Sequence, residues 1–150
     1  MFNYEKLMSA HNHINFKEVS FLPAKLDGLL MSDTIFINED LDPHEKNAIV
    51  AEEIGHYYTV SSRITDYENM NEYKYELKGR RLGYEFNVPI QKIIECYELG
   101  LSNIHEMAEH LELPEEYICE ALKHYEIKYQ NKLFYKDCLI TFNPLKIIED

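Results

Sequence analysis

The sequence lacks any apolar run of 18 residues and any basic stretch followed by an apolar one at its start. The first absence argues against a membrane span and the second against a secretory leader, so the chain is expected to stay in the cytoplasm. Cysteine is scarce. Cys96, Cys119 and Cys138 are odd in number and have no C-x-x-C spacing, which argues against both a disulfide framework and a cysteine-held zinc; they are expected to be reduced and mostly buried. Cationic residues are outnumbered as well: 15 Lys and Arg against 27 Asp and Glu leave a net charge of −12. That sign opposes a polyanionic partner, because affinity for nucleic acid comes largely from cations that neutralise phosphates. No repeat, low-complexity segment or Gly/Ser/Pro-rich linker interrupts the 150 residues, a length that can bury a core of its own. Aromatic residues, by contrast, are plentiful. Twelve tyrosines and seven phenylalanines argue against disorder.

Periodicity and turn chemistry sketch an α+β chain. Residues 3 to 12 read as a short helix, with Tyr4, Leu7 and Met8 at helical spacing. "DGLLMSDTIFIN" carries two apolar runs around Ser32-Asp33, the pattern of a β-hairpin, with Thr34 to Asn38 the better strand. "LDPHEKNAIVAEEIGHYYT" opens with a strong helix start: Asp42 as N-cap, Pro43 at the first helical position and Glu45 three residues after the cap. A polar loop, "VSSRITDYENMNEY", leads to a helix from about Lys74 to Phe86, stopped before Pro89. Beyond it, "PIQKIIECYELG" reads as a helix closed by Gly100, "SNIHEMAEHLEL" as one capped by Ser102, and "LPEEYICEALKHYEIKY" as one begun by Pro114. Strand-like runs on either side of Lys136-Asp137 predict a terminal hairpin. The expected organisation is a core over residues 1–89 and a helical tail with its hairpin over 90–150, forming one compact unit.

The chemistry-bearing string is E-E-I-G-H, residues 52 to 56. On a helix, positions i and i+4 share a face with Cβ atoms about 5–6 Å apart, so Glu52 and His56 can reach one ion together. Glu53 stands roughly 100° further round, beside such an ion and not on it, where a base for an activated water belongs. Zinc accepts carboxylate oxygen as well as imidazole nitrogen, and a catalytic site keeps three protein ligands and one open position. Against this stands the plain reading of the string as a solvated acidic face with one satisfied histidine. The flanking apolar residues Ala48, Ile49, Ala51, Ile54 and Tyr58 weigh against it, because they place Glu52 and His56 off the most exposed face. Gly55, at a cost of about 1 kcal/mol inside a helix, implies that something approaches closely there.

The strand-like "TIFIN", the helix string "EKNAIVAEEIGHYYT", then "YKYELKGRRLGYEFNVP", the tail "NIHEMAEHLELPEEYICEALKHY" and the terminal "ITFNPLKI" together resemble the ImmA/IrrE-type metallopeptidases, especially their short prophage members in Gram-positive bacteria. The resemblance covers nearly the whole chain. It implies a zincin-like core, a small sheet plus an active-site helix, with a helical C-terminal part and a terminal β-hairpin. The family string is usually H-E-x-G-H, with a glutamate of the following helix completing a zinc site. The resemblance therefore implies His56 as a metal ligand, Glu53 as the water-activating base and Glu52 in the first-ligand position. For the third ligand some relatives place a glutamate where this chain has Lys78; Glu76 is the candidate here, against a reading of Glu76 as a surface residue beside Lys78, Arg80 and Arg81. A Glu52/His56/Glu76 set would neutralise a divalent ion that a His/His/Glu set leaves positive. The ion would polarise its water less, which suits slow, selective hydrolysis by zinc or tolerance of the harder manganese. The implied substrate is a phage-type repressor whose cleavage releases gene expression.

Other patterns carry less. In "HEMAEH" the residues His105 and His110 are five apart and not on one helical face, and His11 and His13 read as surface residues near a helix end. The cadence of the tail suggests helix-turn-helix, but nine glutamates between Glu95 and Gln130 face only Lys123 and Lys128, a field that repels a phosphate backbone. Such acidity suits a basic partner protein. A non-catalytic relative that binds a repressor or another regulator through the same groove is the alternative, with Glu52 and Lys78 as its marks.

Overall fold

The computed structural model describes residues 3–62, 72–101 and 103–149, and of residues 60–62 and 72–75 only the backbone. The chain divides into two compact units, Met1–Asn87 and Val88–Asp150. No described helix is long and apolar enough to cross a membrane.

In the first unit, helix α1 (Asn3–Ala10) precedes strand β1 (Asn15–Val19), and β2 (Gly28–Met31) and β3 (Thr34–Asn38) form the expected hairpin. The sheet order is β1-β3-β2, with β1 parallel and β2 antiparallel to the central β3. Alternation along β3 buries Ile35 and Ile37, which join Ile14 and the α2 residues Val50 and Ile54 in the core of this unit. Helix α2 (Pro43–Ser62) begins as its sequence predicts: the Glu45 N–H donates to Asp42 Oδ1 at 3.0 Å. Helix α3 spans Glu72–Asn87, one turn more than the apolar pattern predicts. The first helix is correspondingly shorter than residues 3–12, because the chain turns at His11, whose N–H still donates back to Leu7. Part of the polar loop expected between α2 and α3, residues 63–71, lies outside the described residues.

Buried asparagines hold the ends of these helices together. The Tyr4 N–H donates to Asn47 Oδ1 at 2.7 Å, and Asn87 Nδ2 donates to the Asn47 carbonyl at 2.6 Å. Both asparagines are nearly solvent-free, so losing either partner would strand a buried polar group at about 1–3 kcal/mol.

The second unit contains α4 (Ile90–Glu98), α5 (Ile104–Leu111) and α6 (Glu115–Lys128), followed by β4 (Leu133–Tyr135), β5 (Cys138–Phe142) and β6 (Leu145–Glu149). Gly100, at φ 74, closes α4 as expected, with the Leu101 N–H returning to the Cys96 carbonyl. Ser102, the expected cap of α5, lies outside the described residues; Asn103 caps the helix, accepting from the Glu106 N–H at 2.8 Å. The terminal hairpin is extended by a third strand, because the chain turns at Asn143-Pro144 and pairs Leu145–Glu149 back on β5. Asn131 Oδ1 accepts from the N–H groups of Phe142 and Asn143 at that turn. The core here is built on Tyr125, whose ring stacks on Phe142 and whose hydroxyl donates to the Val88 carbonyl at 2.8 Å.

Of the cysteines only Cys96 is buried; Cys119 is exposed and Cys138 lies between. The expectation of mostly buried thiols is corrected on that point, because Cys119 falls on the solvent side of the amphipathic α6 whose Ile118, Ala121 and Leu122 face the core.

Candidate metal centre

Helices α2 and α3 pack backbone against backbone, and three glycines make this possible. A Cβ on Gly55 would overlap the Gly79 carbonyl and stand 3.2 Å from the Gly83 nitrogen. One on Gly83 would stand 3.0 Å from the Ala51 carbonyl oxygen and the Glu52 Cα, and one on Gly79 3.0 Å from the His56 N and Cα. Real Cβ contacts are longer, so no larger residue fits while the helices keep this spacing. The close approach implied by Gly55 is therefore to the following helix, and it sets Glu76 of α3 opposite His56 of α2.

Glu52, His56 and Glu76 each offer a donor atom, and the three lie within 4.8 Å of one another. His56 Nε2 is 3.5 Å from Glu76 Oε1. A four-coordinate ion with bonds of about 2.0–2.2 Å holds its donors about 3.3–3.6 Å apart, so this separation suits a shared ion. Two further observations bear on the fit. His56 Nε2 is buried and makes no hydrogen bond, an unmet demand that a metal would satisfy. His56 Nδ1 lies 3.4 Å from Glu53 Oε2, and a carboxylate there favours the tautomer with its proton on Nδ1 and its lone pair on Nε2. The chemistry of the donor set and the His56–Glu76 separation fit a divalent cation.

Glu53 is only 6% exposed. Its side chain occupies space left open by Gly28 of β2, where a Cβ would stand 3.0 Å from Glu53 Cγ. Packing against the sheet keeps this side chain away from bulk water.

Arg80 is the participant that sequence reasoning treated only as a surface neighbour. Its Nε donates to Glu52 Oε1 at 3.2 Å, and its Nη2 is 3.7 Å from Glu76 Oε1. The signal was present in the i, i+4 spacing of Glu76 and Arg80 on one helix. Burial, the largest influence, raises the Glu52 pKa above the ordinary carboxylate range, although Arg80 and His56 pull against it. For His56, burial alone would lower the pKa; the Glu53 hydrogen bond and the charges of Glu53, Glu76 and Glu52 together outweigh it and hold the imidazole above its ordinary value. Lys78 is exposed.

Four of the other six histidines have partners within the protein. His105 lies 3.4 Å from Glu115 and His110 2.9 Å from Glu95. His13 is exposed, as expected, and His11 is half-buried; Tyr58 of α2 places its hydroxyl 2.7 Å from His11 Nδ1 and 3.2 Å from His13 Nε2. The turn that ends α1 carries both imidazoles to one hydroxyl.

The family model for the IrrE N-terminal-like domain matches residues 8–123 of the chain. No curated protein matches it to a significant degree. Among solved structures, a Mycobacterium tuberculosis transcriptional regulator is similar with a TM-score of 0.59 and 14% identity, over 80% of this chain and 40% of that one. At that identity the likeness is one of fold, and the chain spans less than half of the regulator's length.

Proposed function

The chain belongs to the IrrE N-terminal-like family, whose domain is of metallopeptidase type, and from that premise we propose that it is a metal-dependent cytoplasmic endopeptidase of a prophage or mobile element that cleaves a phage-type repressor to release gene expression. The observation that carries the catalytic reading is the buried, unbonded His56 Nε2 within 4.8 Å of both glutamate donors. Glu52, His56 and Glu76 would hold the ion, zinc or the harder manganese, with no direct contact to nucleic acid. When bound, the ion supplies Lewis acidity to a carbonyl or water oxygen.

The chain's own residues have separable tasks in this reading. Glu52 and Glu76 contribute the anionic charge that holds a cation, and His56 presents Nε2. Glu53 fixes the His56 tautomer through Nδ1 and takes the proton of the attacking water, a transfer that contributes about 10²–10⁴-fold in general. The Gly55/Gly79/Gly83 contact keeps the two halves of the ligand set in register.

The test compares cells carrying the parent chain with cells carrying Glu53→Gln, by sequencing new protein N-termini. The expected result is a new N-terminus inside a helix-turn-helix repressor with the parent alone. The same N-termini in both strains would remove peptidase chemistry from the account.

One observation favours the non-catalytic reading, in which the chain binds a repressor or other regulator without cleaving it. Arg80 supplies internally the positive charge that Glu52 would otherwise take from an ion. A chain that captures the repressor intact in both strains follows from that reading.

A further inference from the structure

The side chains of the candidate metal centre have a buried side and an open side. Glu53 is almost solvent-free and the His56 side chain is 14% exposed, whereas the side chains of Arg80 and Glu76 are 40% and 50% exposed. A substrate that approaches from the open side meets Arg80 there. Among the described residues Arg80 is the one lysine or arginine within 4.0 Å of the ligand carboxylates, with Nε 3.2 Å from Glu52 Oε1 and Nη2 3.7 Å from Glu76 Oε1. A guanidinium carries five N–H donors in a planar fork suited to two oxygens at once. Of the two contacts, the one at 3.7 Å is too long for a hydrogen bond, so most of the fork's donor capacity is unspent.

Without an ion, Arg80 is the cation that answers Glu52 and Glu76. In the loaded site the charge of those carboxylates is met by the ion they hold, and their attraction for the guanidinium falls. The arginine can then serve another anion, from a half-buried position where a charge-assisted hydrogen bond is stronger than in bulk water. Peptide hydrolysis produces such an anion. When the water oxygen bonds to the carbonyl carbon and a water proton passes to Glu53, negative charge appears on the carbonyl oxygen. As the C–N bond breaks, the amine leaves with both water protons and the acyl product is a carboxylate.

We infer that Arg80 is a catalytic residue of this site, whose guanidinium donates to the carbonyl oxygen of the scissile peptide as that oxygen becomes an anion, and afterwards to the product carboxylate. The inference rests on the metal-dependent endopeptidase reading and adds to it the group that receives the developing charge. A donor placed for that charge acts on the transition state more than on the bound substrate. Arg80 makes and breaks no covalent bond in this role.

The probe is dimethylphosphinate, a tetrahedral monoanion that resembles the charged carbonyl centre, titrated by phosphorus NMR into the full chain loaded with one equivalent of zinc. The loaded parent is expected to bind it saturably, and the metal-free parent at least tenfold more weakly because Glu52 and Glu76 then hold Arg80. Arg80→Met is expected to weaken binding about tenfold or more, the worth of one hydrogen bond between charged groups, while taking up zinc at least as tightly as the parent. Arg80→Gln is a second variant with the same expected loss. Lys78→Met removes an equal charge from an exposed neighbouring position and is expected to bind the probe as the parent does, with circular dichroism confirming the fold of each. Parent-like affinity in both Arg80 variants overturns the inference and leaves the metal reading standing. So does a loaded parent that does not bind the probe, equal binding by the metal-free parent, or an equal loss in Lys78→Met, which would reduce the effect to net charge. A parent that takes up no zinc overturns the metal reading and this inference with it.

Discussion

Replacing Gly79 by alanine adds one methyl group at the contact that brings Glu76 to His56. The new Cβ would stand 3.0 Å from the His56 N and Cα and would overlap Cδ2 of its ring. Ordinary contact begins near 3.4 Å, so the backbones must part by about 0.4 Å, and the ring must turn as well. Overpacking of this kind costs about 1–3 kcal/mol, and alanine returns about 1 kcal/mol of helix propensity. The net loss, about 0–2 kcal/mol, is survivable for a domain with the usual 5–15 kcal/mol of stability. The metal site is less tolerant, because productive ligand geometry is held to about 0.5 Å, and Cδ2 is bonded to the very Nε2 that faces Glu76. Gly79→Ala is therefore expected to fold, with a melting midpoint lowered by a few degrees, and to lose divalent-ion affinity by about tenfold or more. Gly100→Ala is the control. Its site has open space but a φ of +74, so it should cost about 1–2 kcal/mol and leave ion affinity untouched. Calorimetric titration with zinc on the three proteins decides the matter, and parent-like affinity in Gly79→Ala would refute the reasoning.

Arg80→Met removes the guanidinium that competes for Glu52 and Glu76, and zinc titration is expected to show tighter binding in this variant; weaker binding would mean that Arg80 helps to build the site. A third prediction concerns acid. Burial, and then the charge of His13, hold the His11 pKa below its ordinary value, so the folded state takes up fewer protons than the unfolded one. The stability this contributes is complete above the unfolded pKa of about 6.5 and is lost as pH falls through it towards the folded value. The melting midpoint of His11→Gln should accordingly fall less between neutral pH and pH 5 than the parent's, and parallel curves would contradict it. A fourth follows from thiol environment: burial raises the Cys96 pKa, so iodoacetamide should alkylate exposed Cys119 long before Cys96 in the native protein, as peptide mass mapping would show.

Legibility in the sequence followed the range of the interactions. The start of α2 was written locally in Asp42, Pro43 and Glu45, and the hydrogen bond from Glu45 is the one that pattern demands. The alternation in β3 was equally local. Strand β1 left no comparable signal. "NFKEV" is mostly exposed, and its parallel pairing with β3 depends on residues that lie 19 positions away, as in Asn15 opposite Thr34. Strand β6 was hidden differently, since Asn143-Pro144 sits in what reads as one continuous apolar run. At the site, Gly55 announced a close approach without naming its partner; only the packed helices show Gly79 and Gly83 as the answer. Arg80 was misread because nearby basic residues look like a solvated face, whereas the turn of α3 gives Arg80 and Lys78 different surroundings. The Tyr58 clasp on His11 and His13 spans 45 to 47 residues and no local rule reaches that far.

The most direct test of the central claim is metal stoichiometry on the chain purified without chelator, by elemental analysis, for the parent beside Glu52→Ala, His56→Ala and Glu76→Ala, with circular dichroism to confirm folding. The account predicts one divalent ion per parent chain and substantial loss in each folded variant. An ion retained in full by all three variants, or a parent that binds none at millimolar zinc, would contradict it.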